Sequence, residues 1–508
     1  MDHITDDGNA TKPRVLVLGA SGYVGSNLVP YLAARGYPVR AAGRRRDALE
    51  ARGWRDVEVV AADALAPATL DAALVGIDVA YYMVHSMAAG RDFPRLDREA
   101  ARNFRDAAAR AGVQRIVYLG GLQPSGGSSA HLLSRGETGA ILREGPVPVT
   151  EVRAGVIIGP GSAAFEVIRD LVFHLPAMVT PRWVRSRSQP IALPDVLAYL
   201  ERLPAIPAAA GATYDAGGPE VLTYEDLMRQ FGALVGRHPV ILPVPVLTPQ
   251  LSSYWLNLVT AVPTNVARAL IEGLEHDVLA DDAAIRELIP RPLLTYREAI
   301  EAALAAERGF DATPGWTEGS MVYRQNRADF AFYAKQMRGE AVTTASADAV
   351  WHEVVSIGGE NGYYFLDRLW KIRGRLDALT GGVGMRLGRR DPHDVVVGDT
   401  IDFWRVAAVD PGRRLILIAE MKLPGSAALE FEVRPEPAGR TRIRLTAYFH
   451  PAGAAGLLYW NALAPVHLVM FDGFARAIAR RAERGGAAEP GLPRGGTGTA
   501  APPDAGAA

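Results

Sequence analysis

The sequence contains no cysteine. That absence removes disulfides, thiolate metal sites and cysteine nucleophiles together, and no metal site is expected. An excess of charge of either sign is missing too: 55 Lys and Arg against 56 Asp and Glu give a formal net charge of −1. Nucleic-acid binding depends on clustered Lys and Arg, so no nucleic-acid partner is expected. No stretch reaches the ~20 uninterrupted apolar residues of a membrane-spanning helix, so no transmembrane segment is expected. Met1 to Lys12 is polar and lacks the apolar core of a secretory signal. These absences make the cytoplasm the expected compartment.

What is present is a soluble globular composition, 49% hydrophobic and 22% charged over 508 residues, long enough for two or three domains. From residue 13 to about 160 a short apolar run alternates with a longer helical stretch. The runs are Arg14–Leu18, Pro38–Ala42, Val57–Ala61, Val79–Val84, Arg115–Leu119 and Val149–Ile158. Buried parallel strands read as continuous Val/Ile/Leu runs with crossover helices between them. The expected fold is therefore α/β, a Rossmann-type doubly wound parallel sheet. Residues 160–307 read as helix-rich, with short strands at Gln189–Ala192 and Ala212–Ala216 and a helix starting at Thr223-Tyr224. The apolar Leu251–Leu274, broken at Pro263, reads as a buried helix pair rather than a membrane contact.

A linker is expected at 308–320, with Gly309, Pro314 and Gly315. A second, α+β domain follows over 321–484: a helix at Ala347–Ile357, antiparallel strands near 400–409, 414–421, 427–433 and 442–449, and a long helix from Pro465 to Arg484. Both ends, 1–12 and 485–508, have the composition of disordered tails.

Chemistry enters at Gly19-Ala-Ser-Gly22-Tyr-Val-Gly25, which follows the first strand run and opens a helical stretch. Glycines there permit a tight turn and let the backbone approach a pyrophosphate seated on the helix N-terminus. The second strand runs into Gly43-Arg44-Arg45-Arg46, with no Asp or Glu at its end to take a ribose 2′-hydroxyl. A guanidinium pairs instead with a 2′-phosphate, so NADP(H) is the expected cofactor, ahead of NAD(H). Asp63, after the third strand, could meet the adenine edge or cap the next helix.

The Gly19–Gly25 loop, the Val79–Val84 strand and the His131–Arg135 segment resemble the atypical short-chain dehydrogenase/reductases. The nearest kinds are NmrA-like proteins and relatives of the large Rossmann-fold accessory subunit of respiratory complex I. The fuller resemblance is to bacterial two-part proteins whose C-terminal domain, of unknown function, resembles the START/polyketide-cyclase helix-grip superfamily. It is carried by Leu369–Gly374, Gly381–Gly384, Asp402–Arg405 and Ala419–Gly425. The resemblance implies a cofactor set of Gly19, Ser21, Gly22, Tyr23, Val24, Gly25, Arg44, Arg45, Asp63, Ala64, Met83 and Val84. His85 and Ser86, which end the fourth strand run, read as substrate contacts in the carboxyl-end crevice or as a strand-end turn, and Gly121 and Ile158 complete the candidate substrate set.

Typical members pair Tyr-x-x-x-Lys with a serine after the fifth strand. Here the matching places read His131-Leu-Leu-Ser-Arg135 and Gly120-Gly121. Either His131 is the acid and Arg135 the ribose anchor, or the pair is a structural relic on a helix face. Gly159-Pro-Gly161-Ser162 reads as a substrate-side loop or a simple turn, and Asp195 as a helix cap rather than a general acid.

In the C-terminal part, Trp351, Trp370, Trp404, Tyr448 and Trp460 could line an apolar ligand cavity or fill an ordinary core. Arg386, Arg389 and Arg390 could bind an anion or be a solvated loop. Two functions follow. One is NADPH-dependent reduction or isomerisation of an apolar small molecule, such as a quinone, polyketide or lipid-like carbonyl compound, held with help from the C-terminal domain. The other is a non-catalytic NADP(H)-binding redox sensor or assembly factor. Either could act as a homo-oligomer.

Overall fold

Four buried residues, Val15–Leu18, make the strand β1. In the computed structural model, residues 12–50, 52–85, 92–123, 129–244, 276–309, 316–317, 320–321, 334–379, 381–384 and 389–486 are described. Ser86, Arg386, Leu251–Leu274, most of the expected linker and nearly all of both tails lie outside them. After β1 come α1 (Tyr23–Ala33), β2 (Val39–Gly43), α2 (Arg46–Glu50), β3 (Val57–Ala61) and α3 (Pro67–Leu74). Then follow β4 (Val79–Tyr82), α4 (Phe93–Arg110), β5 (Arg115–Gly121), α5 (Ala130–Arg143) and β6 (Val149–Ala154).

These strands form a parallel sheet in the order β3, β2, β1, β4, β5, β6, with Thr213–Ala216 added beside β6. Val15 is in register with Val39 on one side and Val79 on the other. The chain therefore reverses its winding direction between β1 and β4, the switch point where such sheets open a crevice at their carboxyl edge. Alternate side chains feed two cores. Val15 and Val17 pack with Leu28, Leu32 and Leu200, while Leu16 and Leu18 pack with Tyr82, Phe104 and Ala108. Each fully buried side chain of this kind contributes roughly 1.5–3 kcal/mol, and the charged side chains buried within the sheet are paired: Arg40 donates to Ala73 O, and Glu151 binds Arg143 and Arg153.

The expected sixth run, Val149–Ile158, is not one strand. It ends at Ala154, and Ile157–Ile158 forms β7, which pairs in parallel with Ile191–Ala192 outside the main sheet. Gly155 lies at the break, where an added Cβ would sit 3.1 Å from Leu122 Cδ1. The chain then enters α6 (Ala163–His174) and, after Ile191–Ala192, α7 (Leu193–Arg202). The helix Tyr224–Leu234 starts where read: Thr223 Oγ1 accepts from Asp226 N at 3.1 Å, and Thr223 N donates to Asp226 Oδ2 at 3.0 Å.

The chain divides into two compact units. One is Met1–Gln336 with Leu423–Ala427 and Tyr448–Ala464; the other is Met337–Lys422 with Ala428–Ala447 and Pro465–Ala508. The C-terminal sheet runs Lys335–Thr343, Arg440–Pro451, Gly425–Glu436, Arg414–Ala419, Trp404–Asp410, Thr400–Ile401, and its last three pairings are antiparallel. The expected strand at 400–409 breaks at Asp402, whose φ is 53°. Its carboxylate accepts from the Tyr363 hydroxyl at 2.9 Å and Gly359 N at 3.1 Å, which holds the kink.

Trp370 and Trp404 belong to this unit's core with Tyr363, Phe403 and Phe474. The Trp370 ring lies 4.8 Å from that of Tyr363 and 6.1 Å from that of Phe403, so these two tryptophans pack in the core of the unit. Arg389 donates to the carbonyls of Val355, Ile357 and Asp391, and Arg390 pairs with Asp394 and Asp399, each at 3.0 Å. Both are spent internally rather than offered to an anion.

The last helix starts at Gly453, well before Pro465, and runs to Gly486. By length and composition Gly453–Arg484 could cross a membrane, and 28% of its most apolar window is buried. Asn461, Pro465 and His467 interrupt the run, so a count of uninterrupted apolar residues passes over it.

Candidate functional site

Directly after β1, Gly19 takes a positive φ of 89°. Its N–H and that of Ala20 both donate to Ala42 O, at 3.0 and 3.1 Å, and Gly22 N donates back to Gly19 O at 3.0 Å. A Cβ on Gly19 would stand 2.6 Å from Met83 O, and one on Gly25 would strike Gly19 O. Glycine is thus needed where the turn, β4 and α1 approach each other. The α1 N-cap, Gly22, supplies no side-chain cap, and the first turn of α1 carries no acid. The positive end of that helix dipole is left for a ligand anion, with Ser21, Tyr23 and Val24 around it.

At the end of β2, Ser21 Oγ lies 3.8 Å from where a Cβ on Gly43 would fall, which brings Arg44 to the rim of this loop. Arg44 is exposed and makes no ion pair among the described residues, whereas Arg46 is spent on Glu50 at 2.7 Å. Arg45 is exposed beside them. Asp63 Oδ1 accepts from Leu65 N at 2.9 Å, a local turn ahead of α3, and Ala64 is buried behind it. Arg52 was not foreseen: its Nη2 donates to Ser21 O at 3.3 Å, adding a cation to the loop. Its approach from beyond α2 leaves no motif in the sequence.

Met83 N donates to Leu18 O at 2.9 Å, tying the end of β4 to β1, and Val84 and His85 follow. Across the edge, Ser129 caps α5 through Leu132 N and sets His131 in the first turn. Arg135 Nη1 donates to Leu119 O at 3.0 Å, and the Tyr118 hydroxyl donates to Arg135 O at 3.0 Å. The glycines in the serine's place have a packing reason. A Cβ on Gly121 would meet Arg135 Cδ at 3.1 Å, and one on Gly120 would meet Glu151 Oε1 at 2.8 Å. Gln123, unremarked in the sequence, donates to Gly121 O at 3.0 Å and Leu132 O at 3.1 Å, joining the two elements.

Burial first, then Arg135 and His85, push the His131 imidazole down to about 3. Surrounding protein, then Arg135, pushes His85 down to about 4, although its outer face stays open to solvent. His85, His131 and Arg135 therefore form one electrostatic group at the carboxyl edge of the sheet. Both imidazoles are neutral at neutral pH, so each can offer one N–H and one lone pair.

Other expected residues lie apart. Ile158 is 1% exposed and packs with Phe165 and Ile168 in the core of the helix-rich part, so it cannot touch a substrate there. Gly159 abuts the Tyr23 hydroxyl, which places the Gly159–Ser162 turn against the glycine loop. Asp195 does not cap α7, whose N-cap is Ala192. It binds Arg291 at 2.8 Å and Leu294 N at 3.0 Å, anchoring a later loop. Among the described residues no cluster of His, Asp and Glu could hold a metal.

Residues 19–143 match a family model described as NAD(P)H-binding, and residues 328–474 match a protein family of unknown function (DUF2867). The glycine cradle and uncapped helix fit that group, and the N-terminal part is an NAD(P)H-binding domain of Rossmann type. Among curated proteins the chain is 32% identical over 122 residues to cinnamoyl-CoA reductase 1 of Oryza sativa subsp. japonica, covering 22% of this chain and 36% of that protein. It is 27% identical over 237 residues to ceramide reductase of Caulobacter vibrioides, covering 46% and 73%. The chain thus spans about a third of the length of the first relative. Among solved structures, triphenylmethane reductase from Citrobacter sp., complexed with NADP(H), aligns with a TM-score of 0.48 at 18% identity, over 57% of this chain and 99% of that one. An NADPH-dependent quinone oxidoreductase from Escherichia coli gives 0.48 at 19%, over 57% and 99%.

Proposed function

We propose that this protein is an NADPH-dependent reductase of an apolar carbonyl compound or quinone. The observation that carries the reading is the placing of His131 and Arg135 on α5, with Arg135 Nη1 bound to Leu119 O near the end of β5, at the same sheet edge as the glycine loop. NADPH, when bound, supplies a hydride. The chain's residues do the rest. The first turn of α1 holds the pyrophosphate, and Arg44 pairs with the 2′-phosphate. The N–H of neutral His131 holds the substrate oxygen, and water reaching exposed His85 supplies the proton that completes the alcohol. The relatives named as reductases support this class, and the sheet with its long C-terminal helix supports a helix-grip reading of the second part. A non-catalytic NADP(H)-binding role is favoured by one observation: Arg135 spends Nη1 on Leu119 O instead of turning it outward.

The test is NADPH consumption across a panel of quinones, aldehydes and ketones; no consumption with any of them selects the binding role. Arg44→Ala is expected to weaken NADPH about tenfold while leaving NADH nearly unchanged, since a charge-assisted pair contributes about 1.5–3 kcal/mol. Calorimetric titration of both nucleotides reads it. Equal losses would remove Arg44 from phosphate recognition.

A further inference from the structure

We infer that the C-terminal unit has a binding face, built on the helix Asp367–Leu379, that rests on an anionic lipid surface. Successive residues of a helix turn by about 100°, which sorts this one into three stripes. Trp370, Gly374 and Asp377 are its buried residues. On the outward side Leu369, Ile372, Leu376 and Leu379 fall within an arc of about 80°. They are 42%, 50%, 52% and 83% exposed. Arg368, Lys371 and Arg375 occupy the adjoining arc of about 60°, each one residue before a leucine or isoleucine. Four large aliphatic side chains in a row on a surface helix are a cost unless something covers them.

The charge says what covers them. Lys371 pairs with Asp367 at 2.6 Å, but Arg368 and Arg375 make no ion pair among the described residues. An apolar stripe bordered by cations is the pattern of a helix lying in a bilayer interface, its aliphatic side chains among acyl chains and its cations at the phosphates. A second copy of the chain meeting the same face would bring like charges together, and interface centres are depleted of charge.

The surface at the start of this helix is basic as well. Phe365, just before the helix, fills the space where a Cβ on Gly473 would fall, so the helix start packs on the C-terminal helix of the same unit. Beside that contact lies a groove of about 590 Å³ whose walls include Leu468, Val469, Arg476, Arg480, Arg481 and Arg484. Arg476 and Arg481 are paired with Asp472 and Glu353, at 2.6 and 2.8 Å, while Arg480 and Arg484 make no ion pair among the described residues.

The test is co-sedimentation of the full chain with phosphatidylcholine vesicles, with and without phosphatidylserine. Binding is expected on the anionic vesicles, falling steeply with salt. Arg368→Gln with Arg375→Gln should reduce it about tenfold or more, because each basic residue near such a surface contributes about 1 kcal/mol. Ile372→Ser with Leu376→Ser should reduce it comparably. All four positions are exposed, so an unchanged melting temperature is expected and checks the fold. Equal binding to both vesicle types, or no loss in both variants, overturns the inference. So does a lipid-free dimer that the aliphatic variant dissociates, which would assign the face to a second copy.

Discussion

Gly19→Ala is expected to lower NADPH affinity about a hundredfold while the rest of the chain stays folded. The left-handed conformation, φ 89°, costs a residue with a Cβ roughly 1–2 kcal/mol. The added Cβ would also lie 2.6 Å from Met83 O and 2.8 Å from Met83 C. The obstacle is backbone, not the end of a flexible side chain, so relief requires moving β4 or the loop. Moving β4 shifts His85, two residues beyond Met83; moving the loop tilts the first turn of α1 away from the pyrophosphate. Either path damages binding. Gly36→Ala is the control: its φ is 79°, with nothing within 4 Å of the new Cβ. It should cost stability about 1 kcal/mol and leave affinity alone. Calorimetric titration with thermal melts separates the two. Wild-type affinity in Gly19→Ala would mean that the nucleotide does not sit on this loop.

The parallel sheet could be read in advance because its strands are buried on both faces, which writes continuous apolar runs into the chain. The expected Arg14–Leu18 run matches β1, Val15–Leu18, buried throughout, and the departures elsewhere fall at places where local pattern carries no direction. Gly155 lets the chain leave the sheet in mid-run, and only the later Ile191–Ala192 explains where it goes. Arg52 and Gln123 reach the site by bonds to main-chain carbonyls, which any sequence offers, so no spacing announces them. The strand Lys335–Thr343 alternates too weakly to be legible in the sequence. The glycine motif, by contrast, is legible because each glycine answers a steric demand made within seven residues or by the adjacent strand. His131 and its i+4 neighbour Arg135 are legible as positions, but the charge state is not, since burial and the nearness of His85 exist only once β4 and α5 are assembled.

His131→Gln is expected to cut turnover about a hundredfold, the usual loss for one oriented donor to a developing oxyanion, with NADPH affinity retained. Its charge state makes a second claim. An unfolded histidine titrates near 6.5, whereas in the fold His131 is held at about 3 and His85 at about 4. Between those values and 6.5 the unfolded chain binds protons that the folded chain refuses. Stability should therefore be full above pH ~6.5 and fall as the pH drops toward 4. The loss is on the order of 2–4 kcal/mol, discounted because solvent still reaches His85. Denaturant midpoints across this range should drop less steeply in His131→Gln than in the wild type. Turnover divides the two chemical roles. A neutral donor gives a rate with no His131 limb between about pH 5 and 8, because the ring is uncharged throughout. An imidazolium acid instead gives a limb near 6–7 that the variant abolishes. Such a limb would show that His131 regains its proton in the working enzyme, and the neutral-donor mechanism would fall with it.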